Sequence, residues 1–193
     1  MSLPRVAMFA VTLAVWAAPT VAQDLPSLND ARDLLFAEDG SVEWEVIADP
    51  AIDPADAATL DILNTIQPQP YYAALALAPD AGVASEVTAL AANFHDEENA
   101  RSAALAACEA NRAGAGRPCI VGLVIRPSEW EPGRPLQLSA QATDALISDY
   151  RALPRRARAF AISPSTGQFG IGDSRDAAIA ACAAVDCVTI VEG

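Results

Sequence analysis

The sequence predicts an α+β fold: a mainly antiparallel sheet built from two β-β-α-β repeats with helices packed on one face, preceded by an acidic N-terminal α/β segment. Three observations carry this. Residues 74–82 (ALALAPDAG) and 159–167 (AFAISPSTG) share a small/apolar alternation, a proline and a glycine at matching positions. Residues 101–108 (RSAALAAC) and 175–182 (RDAAIAAC) then coincide. Each stretch is followed by a second cysteine that opens a β-branched run, Cys119-Ile120-Val121 in one and Cys187-Val188-Thr189-Ile190-Val191 in the other. Self-similarity that keeps its order over this length marks an internal duplication.

Taken in order, residues 1–22 carry Arg5, an apolar run over 6–18, the helix-breaking Pro19, and small residues at Thr20-Val21-Ala22. This is the pattern of a secretory signal peptide cut after Ala22. The apolar run falls short of the roughly 18 to 20 residues that a membrane-spanning helix needs. Residues 23–70 form the acidic segment, with 11 Asp and Glu against Arg32 alone between positions 24 and 66. A short helix is expected over 29–36. A strand over 41–47 would place Val42, Trp44 and Val46 on one side, and a helix would follow with Asp53 as N-cap, Pro54 at its first position and Asp56 in its first turn.

Copy one spans residues 71–126. Its first strand ends at a Pro-x-x-Gly turn, a second strand covers about 86–93, and a helix capped by Asp96 runs toward Cys108 before the strand from Cys119. Residues 127–156 connect the copies through a Pro/Gly-rich stretch containing Trp130. A helix then starts at Ser139 and runs to about Ala152, with Ala142, Leu146, Ile147, Tyr150 and Leu153 near one face. Copy two, residues 157–193, repeats the plan with a second strand over 168–172 and Ser174 as helix cap.

An exported chain with four cysteines is expected to oxidise them, and spacing alone leaves three pairings open. The duplication chooses among them: if one ancestral copy was stable by itself, Cys108 pairs with Cys119 and Cys182 with Cys187. Spacings of C-x10-C and C-x4-C fit neither a zinc site nor a thioredoxin-type pair. Staples are useful here, because 43 of the 193 residues are alanine and aromatics are 6%. Such a core buries little area per residue.

Composition also excludes chemistry. All 12 basic residues are arginine, so no mechanism that requires a lysine amine is open, including a pyridoxal phosphate Schiff base or a P-loop. A net charge of −13 makes nucleic acid or anionic lipid an unsuitable partner. The one histidine, His95, precedes Asp96, Glu97 and Glu98. That group reads either as the start of a helix or as a metal-binding or general-base cluster. A triad would need His95 with Ser85, Ser163 or Ser165, none of which sits in a G-x-S-x-G elbow. Gly170 and Gly172 read as a feature of a strand. Phe169 flanks a hairpin turn, where it could serve as a contact for a ligand. Arg151, Arg155, Arg156 and Arg158 form the one basic cluster, expected to neutralise the acidic N-terminal segment, with an anion site as the second reading.

The alternating hairpin, the AAxAAC helix end and the cysteine that opens the last strand resemble a family of small secreted bacterial domains of unknown function. The resemblance covers residues 72–125 and 157–193. The acidic front segment and the helix before Arg155-Arg156 look like the two-copy members found in Gram-negative bacteria, some of which are labelled 5-aminolevulinate synthase. The lysine-free sequence contradicts that activity. The resemblance implies the fold and an extracytoplasmic location, periplasmic or extracellular, but brings no catalytic residue. The expectation is therefore a non-enzymatic module that needs no cofactor, binds a protein, peptide or small ligand, and has no membrane attachment after signal cleavage. The alternative is a small hydrolase-like enzyme with a site near His95.

Overall fold

A computed structural model describes residues 25–193, so the expected signal peptide and its cleavage site lie outside the described residues. In chain order the elements are α1 (Leu28–Arg32), β1 (Val42–Val46), α2 (Pro54–Ile66), β2 (Ala73–Leu77), β3 (Ala89–Ala91), α3 (Glu97–Arg112) and β4 (Ile120–Pro127). They continue with α4 (Ala140–Ala145), β5 (Ala159–Ile162), β6 (Phe169–Gly172), α5 (Arg175–Cys182) and β7 (Val188–Glu192). Helix α4 passes directly into a π-helical turn, Leu146–Tyr150, that keeps both of those end residues buried. Helices begin where a side-chain oxygen can take an orphan backbone N–H. Ser27, Asp53, Asp96, Ser139 and Ser174 do this for the five helices.

The class is α+β and every strand pairing is antiparallel. Two features of the expected arrangement are corrected. The copies do not share one sheet: copy one with the N-terminal strand forms β1-β4-β2-β3, and copy two forms β6-β5-β7. Nor do the helices keep to one face. Ala74, Ala76 and Ala78 face Ala100, Ala104 and Cys108 of α3. The alternate residues Ala73 and Leu77 pack with Leu60 of α2 on the opposite face. In copy two, Ala159 and Ala161 face α5, whereas Phe160 and Ile162 face Leu146 and Tyr150. The first strand of each copy is apolar at even and odd positions alike, so both of its faces require cover.

The second strand of copy one is shorter than expected. Residues before it turn instead, with Ser85 N–H bonded to the Gly82 carbonyl, Thr88 N–H to the Ser85 carbonyl, and Val83 N–H to the Asp56 carboxylate. Helix α1 likewise stops early, because Leu34 and Leu35 bond three residues back.

The two copies are built alike in detail. Each places its first strand between its second and its last. The register slips between Leu75 and Ala76 in one and between Phe160 and Ala161 in the other, at positions that coincide in the sequence match. Helices α3 and α5 both end on a left-handed alanine, Ala113 (φ 51°) and Ala183 (φ 58°).

Cys108 is bonded to Cys119 and Cys182 to Cys187, with Cα–Cα separations of 6.1 and 6.2 Å, and no described cysteine is free. Each bond ties a helix end to the strand that follows it, as the duplication predicts. Loop closure gives an expected stability loss of about 3 kcal/mol for a Cys108→Ser/Cys119→Ser double variant and about 2 kcal/mol for Cys182→Ser/Cys187→Ser. Urea unfolding without reductant measures both. A loss below about 1 kcal/mol for the longer loop would contradict the loop-closure account.

Candidate functional site

The chemistry-bearing residues singled out in the sequence fall into four places: the seam between the copies, the turn between β2 and β3, the hairpin of copy two, and the end of the connecting helix. His95 sits at the seam and is 1% exposed. Its Nε2–H donates to the Gln168 carbonyl at 2.9 Å, and its Nδ1 accepts the Ser139 N–H at 3.1 Å. A carbonyl can only accept and an amide N–H can only donate, which fixes the proton on Nε2 and occupies both ring nitrogens. Burial makes the ring harder to protonate than an ordinary histidine. His95 therefore joins copy one to the copy-two hairpin and to the start of α4, with no nitrogen left for a substrate or a metal.

Its acidic neighbours face different partners. Asp96 accepts the Asn99 N–H at 2.7 Å as helix cap. Glu97 binds Arg101 at 2.5 Å and also pairs with Arg126, whose Nη1 reaches Glu45 of β1 at 2.8 Å. Burial alone would raise the Glu97 carboxyl, but the two guanidiniums outweigh it and hold it below the usual range. Glu98 is exposed. No group of three or more potential metal-ligating side chains occurs among the described residues.

The candidate nucleophiles are also engaged elsewhere. Ser163, fully buried, donates to Asp186 at 2.6 Å, and the Ser165 N–H donates to the other carboxylate oxygen at 2.9 Å. These bonds hold Asp186 down at about 2. Ser85 accepts the Val87 N–H within a turn. Phe169 stacks on Phe160 with centroids 5.6 Å apart, which makes it a half-buried core neighbour.

Arg158 is 6% exposed and donates to the carbonyls of Tyr150, Arg151 and Leu153 and to Gly193, with its guanidinium over the Tyr150 ring. It closes the carbonyl end of the connecting helix, a role for which a C-terminal cation is suited. Arg151, Arg155 and Arg156 make no ion pair with any described residue. Among the described residues, the expected neutralisation of the acidic segment by ion pairs from this cluster is therefore not found. Arg32 and Arg126 serve that segment instead, through Glu38 and Glu45.

Sequence reasoning missed two features. Asn93, beside His95, exchanges bonds with Gln141 at 3.1 and 3.2 Å, and a Cβ on Gly167 would lie 1.8 Å from the Asn93 carbonyl oxygen. The other is an apolar ridge. Ile62, Leu63 and Ile66 are 56%, 45% and 74% exposed on α2, and Trp44, 40% exposed, bonds Asp61 of that helix through its indole N–H at 3.0 Å. A signal for the ridge was present in the sequence, because α2 carries Leu60 inward while its other large apolar residues lie outside that face. Trp44 stands on β1, an edge strand. The bonds of Ile47 to Gly122 and of Ser128 to Ser41 put Val42, Trp44 and Val46 in the positions whose backbone groups point away from β4.

Comparison with family models, with curated proteins and with solved structures finds no match. Among the described residues no helix is long and apolar enough to cross a membrane.

Proposed function

We propose that the protein is an exported, non-enzymatic binding module, periplasmic or extracellular, made by duplication of a disulfide-stapled β-β-α-β unit. The observation that carries the binding reading is the ridge of Trp44, Ile62, Leu63 and Ile66 beside an edge of β1 that pairs with no strand among the described residues. Large apolar side chains exposed together, next to a row of unpaired backbone donors and acceptors, form a surface suited to an extended peptide or a protein segment. The occupied nitrogens of His95 and the dispersal of its neighbouring carboxylates support the non-enzymatic half of the reading. The two disulfides and the resemblance to small secreted bacterial domains support export.

Photo-crosslinking in the native host tests the surface. A photoreactive phenylalanine at Ile66 is expected to give a discrete light-dependent adduct, and the same residue at Asp176 on α5 none. Absence of an adduct at Ile66, or equal adducts at both positions, overturns the assignment. Intact mass of the envelope-purified protein is expected to begin at Gln23 and to lack four hydrogens for two disulfides. A full-length mass with free thiols overturns export. A hydrolytic activity abolished by His95→Gln in a protein that still folds would replace the whole reading with the enzymatic one.

A further inference from the structure

The basic cluster borders a second surface, independent of the apolar ridge. A cleft of about 360 Å³ is lined by Asn29 and Arg32 of α1, by Arg151, Arg155 and Arg158, and by Gly193. Its charges are unequal. Arg32 arrives already neutralised, its Nε and Nη2 held by the two oxygens of Glu38 at 3.0 and 2.9 Å. Arg158 is fixed by its bonds to the carbonyls of Tyr150, Arg151 and Leu153 and to the oxygen of Gly193. Arg151 and Arg155 are exposed and have no carboxylate partner among the described residues. Two guanidiniums, those of Arg151 and Arg155, thus reach the cleft without a carboxylate partner among the described residues, in a chain that carries 25 acidic residues against 12 basic ones. Carboxylates were abundant enough to pair them, and elsewhere most arginines are paired in this way.

We propose that this cleft is a binding site for a small ligand bearing a carboxylate or phosphate group, held by Arg151 and Arg155 against the fixed guanidinium of Arg158. Planar guanidinium forks match both oxyanions through paired N–H donors, and the side-chain amide of Asn29, unbonded among the described residues, supplies a neutral donor on the opposite wall. The volume lies at the lower end of the range for small-molecule sites, which fits a compact ligand and not a polymer. The acidic remainder of the surface repels anions in general, so the cleft confers selectivity by position as well as by geometry.

The test uses the disulfide-intact protein at low ionic strength. Inorganic phosphate and succinate are titrated separately while the arginine Nε–H resonances are followed by NMR. Saturable shifts confined to Arg151, Arg155 and Arg158 are expected with at least one of the two anions, and the stronger arm identifies the preferred oxyanion. An Arg151→Ala/Arg155→Ala variant, altered only at exposed positions, is expected to bind at least about tenfold more weakly. An Arg101→Ala/Arg117→Ala variant, altered in copy one, is expected to bind like the parent. No saturable shift with either anion, shifts spread evenly over all arginines, or equal weakening in the two double variants would each overturn the proposal.

Discussion

Gly170→Ala is expected to destabilise the protein by about 3 kcal/mol or more, at the upper end of what overpacking one methyl group costs. A Cβ at Gly170 would lie 2.2 Å from the Ala178 carbonyl oxygen and 2.2 Å from the Cys182 amide nitrogen, both backbone atoms of α5. No side chain can rotate to make room, so the helix itself has to lift. It is held at its start by the Ser174 cap and at its end by the Cys182–Cys187 bond. Gly172 repeats the contact one pleat along, 2.5 Å from the Ala178 nitrogen. Gly40→Ala is the control: its φ of 75° disfavours a side chain, but nothing lies within 4 Å, so a cost of only about 1 kcal/mol is expected. Urea unfolding of the two variants separates close approach from backbone conformation. Equal losses would mean that α5 does not rest on β6 as described.

The same pair of glycines shows where sequence reading reached and where it stopped. Their place in a strand was legible from the duplicated pattern around them, as were the caps Asp53, Asp96, Ser139 and Ser174, the two Pro-x-x-Gly turns and both disulfides. These are local signals, or signals that one copy supplies to the other. That a helix lies directly on Gly170 and Gly172 is a relation between elements, and a gap left by two absent side chains carries no periodicity. The division into two sheets was hidden for a related reason: edge strands β3 and β6 have nothing in their sequences that states whether they pair with each other. The two-sided cover of the sheets was readable in principle, because residues 73–77 and 159–162 are apolar or small at every position. At the candidate site, the sequence marked His95 and the arginine cluster as unusual residues but could not show their neighbours. Two backbone groups, from residues 139 and 168, decide the role of His95. Residues 44 and 66 advertise no chemistry at all, and their meaning rests on exposure.

His95→Leu is expected to cost about 3 kcal/mol, because it leaves the Ser139 N–H and the Gln168 carbonyl buried without partners and removes the joint between the copies. The parent protein should also report this histidine through pH. Burial lowers its basicity relative to the unfolded chain, so the unfolded state takes up a proton that the folded state refuses. The resulting stability is fully present above the unfolded value, about 6.5, and is lost as pH falls from there toward the depressed folded value. The slope in that window approaches about 1.4 kcal/mol per pH unit for one proton. Two circumstances make the window clean. The chain has a single histidine. The shifted carboxyls, Glu97 and Asp186 among them, lie below the ordinary acidic values and lose their contribution only at lower pH. Unfolding free energies measured from pH 7.5 to 5.0 should therefore decline for the parent and stay level for His95→Leu. A level profile in the parent would mean that the ring is not buried in its neutral form, and the seam would need another account.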